Sequence, residues 1–434
     1  MFIDFLKEKT HLLSSGDLNE SHVLGHEIDE FAAANSGGFR GYVESLGSWA
    51  KEHPAKILSL IHAVRPLLTV KTVTIATSAE LVKDILAREG DFAVTYGPKM
   101  QMITQGAGFF LGQDDNETLG FTNRTNMQML FRRDDVPGVV KPLIAKLAKA
   151  RLAQLQPGFD LVSDYLKYLP AQFAIEYFGF TKVAGEDLYR ITAGLFEYLF
   201  IDVANNPKMA LLAEGYAKEL RELLDAEIAL GQAGENTVLG RGLHFAKAGV
   251  PGFDPVNLRN NLLGLLIGLV PTTAKSAAMA YDYGTRTEKD AAKFYDYFDS
   301  HSFEEFSAYV RELTRLNPIN PGLFRKANAD VSVISKGKQH TIPAGNMVMV
   351  GTFTAMRDAT AMVHPDEIIP GRADSAYLTY GYGLHACFGR YLNDLHVAAL
   401  LHHCFSAGHK LRREGAAGDL IFDGAFPSKL QLKP

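Results

Sequence analysis

Cysteine is scarce: Cys387 and Cys404 are the only two in 434 residues. If both lie on or beside one helix, the stretch between them spans roughly 25 Å at 1.5 Å per residue. That is too far for a disulfide. Two unpaired thiols suit a reducing cytosol, so the expected location is cytoplasmic. Cys404 sits in Leu-His-His-Cys-Phe and reads as a packing residue. His402, His403 and Cys404 occupy adjacent helical positions that point in different directions, which is no metal set. Excess charge is also lacking. A net charge of −5 and a pI near 6.3 give no basic surplus for nucleic acid or an anionic membrane. Long apolar runs are nearly absent. Only 261–280 approaches bilayer length, and Pro271, Thr272, Thr273, Lys275 and Ser276 lie inside it, so it reads as a buried core helix rather than a membrane span. The first ten residues are too polar for a signal peptide or anchor. Neither repeats nor low-complexity tracts occur.

What is present is 47% hydrophobic and 21% charged residues, enough for a large core. Length alone suggests two or three domains. Residues 66–77 read as strand, with alternating β-branched residues, and Ser78 reads as the N-cap of a following helix. Helical patterning dominates 137–230, broken at Gln156-Pro157-Gly158, at Gly179 and around Asn205-Asn206-Pro207. Further helices are expected at 257–282 and 303–317. Strand signals return at 330–350 around Thr341-Ile-Pro-Ala-Gly, and an irregular stretch covers 357–380.

The most informative segment is Tyr380-Gly381-Tyr382-Gly383-Leu384-His385-Ala386-Cys387-Phe388-Gly389. Its glycines permit tight turns and close approach to a flat partner. A helix is expected from Arg390 on, which puts Cys387 at a helix N-terminus, where free N–H groups favour a thiolate. A thiolate in a dry loop is a soft, strongly donating ligand suited to haem iron.

This spacing resembles the haem-binding loop of the cytochrome P450 family, F-x-x-G-x-H/R-x-C-x-G, with Tyr380 in place of the phenylalanine. Other segments agree. Glu312-Leu-Thr-Arg315 resembles the family's E-x-x-R on its K helix, and Arg372 in Pro370-Gly-Arg372 matches the third member of the buried triad. Ile342-Pro343-Ala344-Gly345 and Ala355-Met-Arg357-Asp358 resemble two further family segments. The resemblance spans nearly the whole chain. It implies one domain over 1–434, mainly α with small β-sheets, enclosing haem b (iron protoporphyrin IX). By resemblance Cys387 is the metal ligand, and His385, Arg325 and Arg124 meet the two propionates. Aligning Arg124 this way places Gly120 where the family has an aromatic or histidine. Tyr380, Gly381 and Gly389 shape the loop, and Glu312, Arg315 and Arg372 are structural.

One departure stands out. The family's oxygen-activation helix carries A/G-G-x-D/E-T-T, and the match here is Gly268-Leu269-Val270-Pro271-Thr272-Thr273. A register one residue earlier aligns Pro271 with a threonine instead. In either register no carboxylate fills the acid position. Proline carries no proton and removes a helical N–H. A helix broken there would expose the Ile267 carbonyl and hold a water, which Thr272 would organise; the alternative is that Pro271 only shapes the pocket. Pro271, Thr272 and Thr273 are therefore the catalytic candidates.

Three functions are compatible with the resemblance. The first is a haem-thiolate monooxygenase acting on a small apolar substrate, with a ferredoxin- or flavodoxin-type electron donor. The second is a peroxygenase or lipid-hydroperoxide isomerase, although the arginine-proline pair of fatty-acid peroxygenases is absent because Val270 precedes Pro271. The third is a non-enzymatic haem ligand-binding protein. Substrate contacts are expected from Phe92, Tyr96, Met100, Met102 and Ile103, and from Leu265 and Leu269. All are apolar or aromatic, as pocket walls usually are.

Overall fold

Lys71 takes a left-handed φ of +54°, and that turn splits the expected 66–77 strand in two. β1 (Leu67–Val70) and β2 (Val73–Ala76) pair antiparallel across it. They open a five-stranded sheet completed by β3 (Phe92–Val94), β4 (Leu323–Ala327) and β7 (Met347–Val350), in the order β1-β2-β7-β4-β3. Only the β2–β7 pair is parallel. β5 (Val331–Ser335) and β6 (Lys338–Ile342) form a separate hairpin. Lys336 and Gly337 turn it, both at positive φ, as a two-residue hairpin requires. The computed structural model describes residues 58–59, 61–63, 65–106, 109–112, 118–203, 205–406 and 411–434. The polar first ten residues lie outside this set.

Helices make up most of the rest. In chain order they are α1 (Ala79–Ala87), α2 (Gly97–Thr104), α3 (Thr118–Leu130), α4 (Lys141–Leu152), α5 (Tyr168–Phe178), α6 (Gly185–Phe196) and α7 (Pro207–Leu230). Then come α8 (Val238–Lys247), α9 (Pro255–Thr285), α10 (Glu288–Ser300), α11 (Phe303–Leu316), α12 (Thr352–Ala355) and α13 (Arg390–Ser406). Their ends follow local signals. Ser78 caps α1 by accepting from the Leu81 N–H, Gly179 closes α5 in the left-handed region, and Asn206 caps α7. Ser302 and Glu305 form a reciprocal capping box at the start of α11. A π-type turn, Glu197–Ile201, prolongs α6. Beyond α13, β9 (Ile421–Asp423) and β10 (Phe426–Lys429) form a hairpin, and β8 (Arg412–Arg413) pairs with β11 (Leu432–Lys433).

α9 is the spine. It runs unbroken for 31 residues through Pro271, so of the two readings of Pro271 the helix break does not occur. Proline inside a helix costs about 3 kcal/mol. Leu262, Leu263 and Leu266 are all fully buried, and each such side chain contributes about 1.5–3 kcal/mol. Packing of α9 against its neighbours therefore outweighs the lost N–H. By length and composition α9 could cross a membrane, but 89% of its most apolar window is buried inside the fold. The main core surrounds α9 and α13, and a smaller one joins α1 to the five-stranded sheet.

Candidate active site

Cys387 follows a loop shaped by two glycines with φ of +74°, Gly381 and Gly383. At Gly383 a Cβ would lie 2.3 Å from the Leu86 carbonyl oxygen, so only glycine fits. The Cys387 N–H donates to the Tyr380 carbonyl at 2.8 Å, which closes the loop just before α13 begins. The thiol is accessible, yet burial among protein atoms pushes its pKa up, an effect the Gly389 N–H opposes by donating to the sulfur. Cys387 thus has exposed surface although protein atoms crowd round its sulfur. Gly389 has neither a positive φ nor any atom within 4 Å of a Cβ built on it. Nothing in the protein demands glycine there, and the space beside the thiol is open.

α9 supplies a second open face. Most of its middle is fully buried, but Gly268 is exposed and a Cβ there would meet nothing within 4 Å. Leu265, Leu269 and Thr272 keep 8%, 8% and 9% exposure. Spacings of three and four put these residues on one side of the helix. Thr272 thus shares the open face with Gly268, and its hydroxyl donates to the Gly268 carbonyl. Thr273 does not join it. It is fully buried, and its hydroxyl donates at 2.7 Å to Asn393 on α13. Asn393 in turn donates at 3.3 Å to the Tyr380 hydroxyl. This chain ties α9 to the cysteine loop.

Cationic groups gather at the loop. His385 Nδ1 lies 3.1 Å from the Leu111 carbonyl. Burial and then the Arg325 charge lower the His385 pKa, with a further contribution from Arg124. His385 is therefore held toward the neutral imidazole and offers an N–H rather than a full charge. Arg325 is buried on β4 and donates to the Phe324 carbonyl at 2.9 Å. Arg124, half-buried on α3, stands 5.9 Å from the Phe388 ring centre. Arg325 and Arg124 thus both act on His385, and Glu89 acts on it in the opposite sense.

Glu312 and Arg315 meet behind this loop. Arg315 donates twice at 2.9 Å to Glu312, and Arg372 adds a bond of 3.1 Å. Arg315 also donates to the carbonyls of Met356, Pro365 and Glu367, and Glu312 accepts from the Ile369 N–H. The irregular 357–380 stretch is fastened by these contacts.

The expected substrate contacts divide. Leu265 and Leu269 lie on the open face of α9. Phe92 does not reach it: the ring is fully buried in the sheet core, because β3 pairs with β4 and turns it inward. Met100 and Ile103 are buried in the main core, while Tyr96 and Met102 pack on its edge. The Tyr96 hydroxyl donates to the Leu111 carbonyl at 2.6 Å. Sequence reasoning missed Phe109, whose ring covers Gly264 so closely that a Cβ there would lie 2.2 Å away. The glycine was the available signal.

An accessible thiol in a Gly-rich loop, open space beside it and a cationic cluster fit an iron porphyrin with two carboxylates. Comparison with known proteins agrees. The sequence profile described as Cytochrome P450 matches residues 297–407. Cytochrome P450 NovI of Streptomyces niveus is 39% identical over 77 residues, covering 18% of each chain. Psi-producing oxygenase A of Emericella nidulans is 23% identical over 382 residues, covering 77% of this chain and 35% of that protein. The chain thus spans only a minor part of the length of both relatives. The open cytochrome P450 Eryk from S. erythraea superposes with a TM-score of 0.72 at 20% identity, covering 87% of this chain and 95% of that one. That likeness establishes the fold. Residues 297–407, which hold the cysteine loop, thus match the Cytochrome P450 profile, and the fold around them is the one that cytochrome P450 structures share.

Proposed function

We propose that this protein is a cytoplasmic haem-thiolate monooxygenase that inserts one oxygen atom into an apolar organic substrate. Electrons come from NAD(P)H through a ferredoxin- or flavodoxin-type partner. The observation that carries this reading is the accessible Cys387 thiol in a cavity-lining loop tied to the open face of α9. The cofactor is haem b, which supplies the redox-active iron when bound. Cys387 provides its sulfur donor, and the Gly389 N–H steadies the negative charge on that sulfur. Arg325, His385 and Arg124 hold the propionates. Tyr380, Gly381 and Gly389 set the loop that receives the ring. Leu265 and Leu269 would form an apolar wall for the substrate, and Gly268, beside which a Cβ would meet nothing, would leave room on the same face. Thr272 holds a water at its Oγ1, whose own hydrogen is committed to the Gly268 carbonyl. Thr273 fixes the spacing of the two walls.

One observation favours a second reading. Pro271 leaves the acid position without a carboxylate, and a peroxide or lipid hydroperoxide brings its oxygen already reduced. A single assay separates the two readings. Haem-loaded protein is offered one panel of apolar lipids with the oxidant varied. Turnover only with NAD(P)H, a redox partner and dioxygen supports the monooxygenase. Turnover with hydrogen peroxide or a lipid hydroperoxide alone replaces it with the second reading.

A further inference from the structure

The open face of α9 does not end at Thr272. Lys275 and Ser276 keep 7% and 6% exposure, while Thr273 and Ala277 have none. Lys275 is three residues past Thr272 and four past Pro271, so it lies one turn from each on the same side. Its ammonium sits 5.5 Å from the Phe426 ring centre on β10. Glu197, on the π-type turn after α6, is the one charge among the described residues that acts on it. A buried lysine is expensive to keep charged, and Phe426 and Glu197 offset only part of that cost.

Its surroundings lead outward to solvent. The tip of the β9–β10 hairpin abuts Glu197: a Cβ at Gly424 would lie 3.1 Å from a Glu197 carboxylate oxygen. Asp423, on that hairpin, is exposed and acts on Glu197, as does Asp202. Lys99 bonds Asp202 at 3.1 Å, and Lys167 feels Asp423. Titratable groups therefore step from exposed Asp423 through half-buried Glu197 to buried Lys275. Burial lowers the Lys275 pKa to about 8, with Glu197 opposing the shift. Burial, followed by Asp423, raises that of Glu197. The two groups thus move toward each other from reference values about six units apart. Three nearby carboxylates make this a poor seat for a bound anion. Thr272 Oγ1, by contrast, has spent its hydrogen on Gly268 and can only accept.

We propose that Lys275 is the proton donor of this wall, filling the role left empty by Pro271, and that Glu197 recharges it from the hairpin surface. The inference rests on the dioxygen-dependent reading above. In each transfer one N–H bond of the Lys275 ammonium breaks as one O–H bond forms on a water held at Thr272 Oγ1, and that water gives up one of its own protons to the oxygen being reduced, so that it ends as neutral water. The neutral amine then takes a proton relayed from bulk water through the Glu197 carboxyl. No electron moves in these steps.

The test uses the haem-loaded full chain. In the first arm the Lys275 Nζ is titrated by nitrogen NMR. Glu197→Gln is expected to lower its pKa, since the carboxylate raises it, and an unmoved value overturns the coupling. In the second arm Lys275→Met and Lys275→Arg are compared with NAD(P)H, a redox partner and dioxygen. Arginine keeps the charge but releases no proton near neutrality. Both variants are expected to lose product per reducing equivalent by roughly a hundredfold, the scale of a positioned acid. The unsubstituted enzyme should lose coupling as pH rises through about 8. Rescue by arginine overturns the proposal, because charge alone would then suffice. Unsubstituted protein that turns over only with hydroperoxide and no reductant is a different failure: it removes the dioxygen reading and the donor role with it.

Discussion

Arg315 grips Glu312 through two hydrogen bonds of 2.9 Å, and solvent reaches neither side chain. Burial alone would raise the Glu312 pKa, but the Arg315 hydrogen bonds and the Ile369 N–H hold it below the usual carboxylate range. A carboxylate with a depressed folded pKa stabilises above its unfolded value and loses that contribution as pH falls through the folded one. The triad should therefore hold at neutral pH and fail only in strong acid. Removing one partner of a buried pair costs about 3–5 kcal/mol. Glu312→Ala is expected to give haem-free or aggregated protein, read by the urea midpoint and the haem-to-protein ratio. A folded, haem-replete variant altered only in turnover would contradict this.

Cys387→Ala should abolish the red-shifted band that a thiolate-ligated ferrous carbon monoxide complex shows, because the strongly donating sulfur is gone. Cys404→Ala should keep it. Cys404 is fully buried on α13, and burial pushes its thiol well up in pKa, as befits an inert packing residue. A histidine-type spectrum in fresh unsubstituted protein would refute the ligand assignment.

Two glycines of the loop should behave oppositely. Gly383→Ala forces a side chain into a left-handed residue and against the Leu86 carbonyl, which costs about 1–3 kcal/mol. It should lower the melting temperature with or without haem. Gly389→Ala meets no protein atom, so haem-free protein should melt unchanged while haem affinity falls. Equal melting shifts for the two haem-free variants would mean that the space beside the thiol is not a cofactor seat.

Arg325→Leu should release haem faster to a scavenger protein. A charge-assisted hydrogen bond is worth about 1.5–3 kcal/mol, so affinity should fall roughly tenfold to a hundredfold. His385→Gln, which keeps an N–H, should cost less than His385→Leu, because the imidazole is already held toward neutrality. A larger loss for glutamine would show that the histidine acts as a cation.

The sequence was legible where its geometry is local. The cysteine loop, the Glu312–Arg315 pair and the capping residues are fixed by spacings of a few positions, and the fold keeps them. What was not legible depends on distant partners. Phe92 faces inward because β3 pairs with Ala327 and its neighbours, more than two hundred residues away. Thr273 looks like a twin of Thr272, yet Asn393 claims its hydroxyl. Lys275 reads as a flaw in an apolar run until the β9–β10 hairpin and Glu197 close around it. Pro271 reads as a helix breaker because propensity is a local quantity, whereas the burial that keeps α9 continuous is not.

The hydrogen bonds from Thr273 to Asn393 and from Asn393 to Tyr380 have a mechanical meaning. The floor and the roof of the cavity share a fastener, one residue from Thr272 above and seven from Cys387 below. Their separation is set by the side chains of Thr273, Asn393 and Tyr380. Asn393→Leu would remove the fastener for about 1 kcal/mol of lost hydrogen bonding. The spacing of α9 from the cysteine loop is thereby a property of the polypeptide itself.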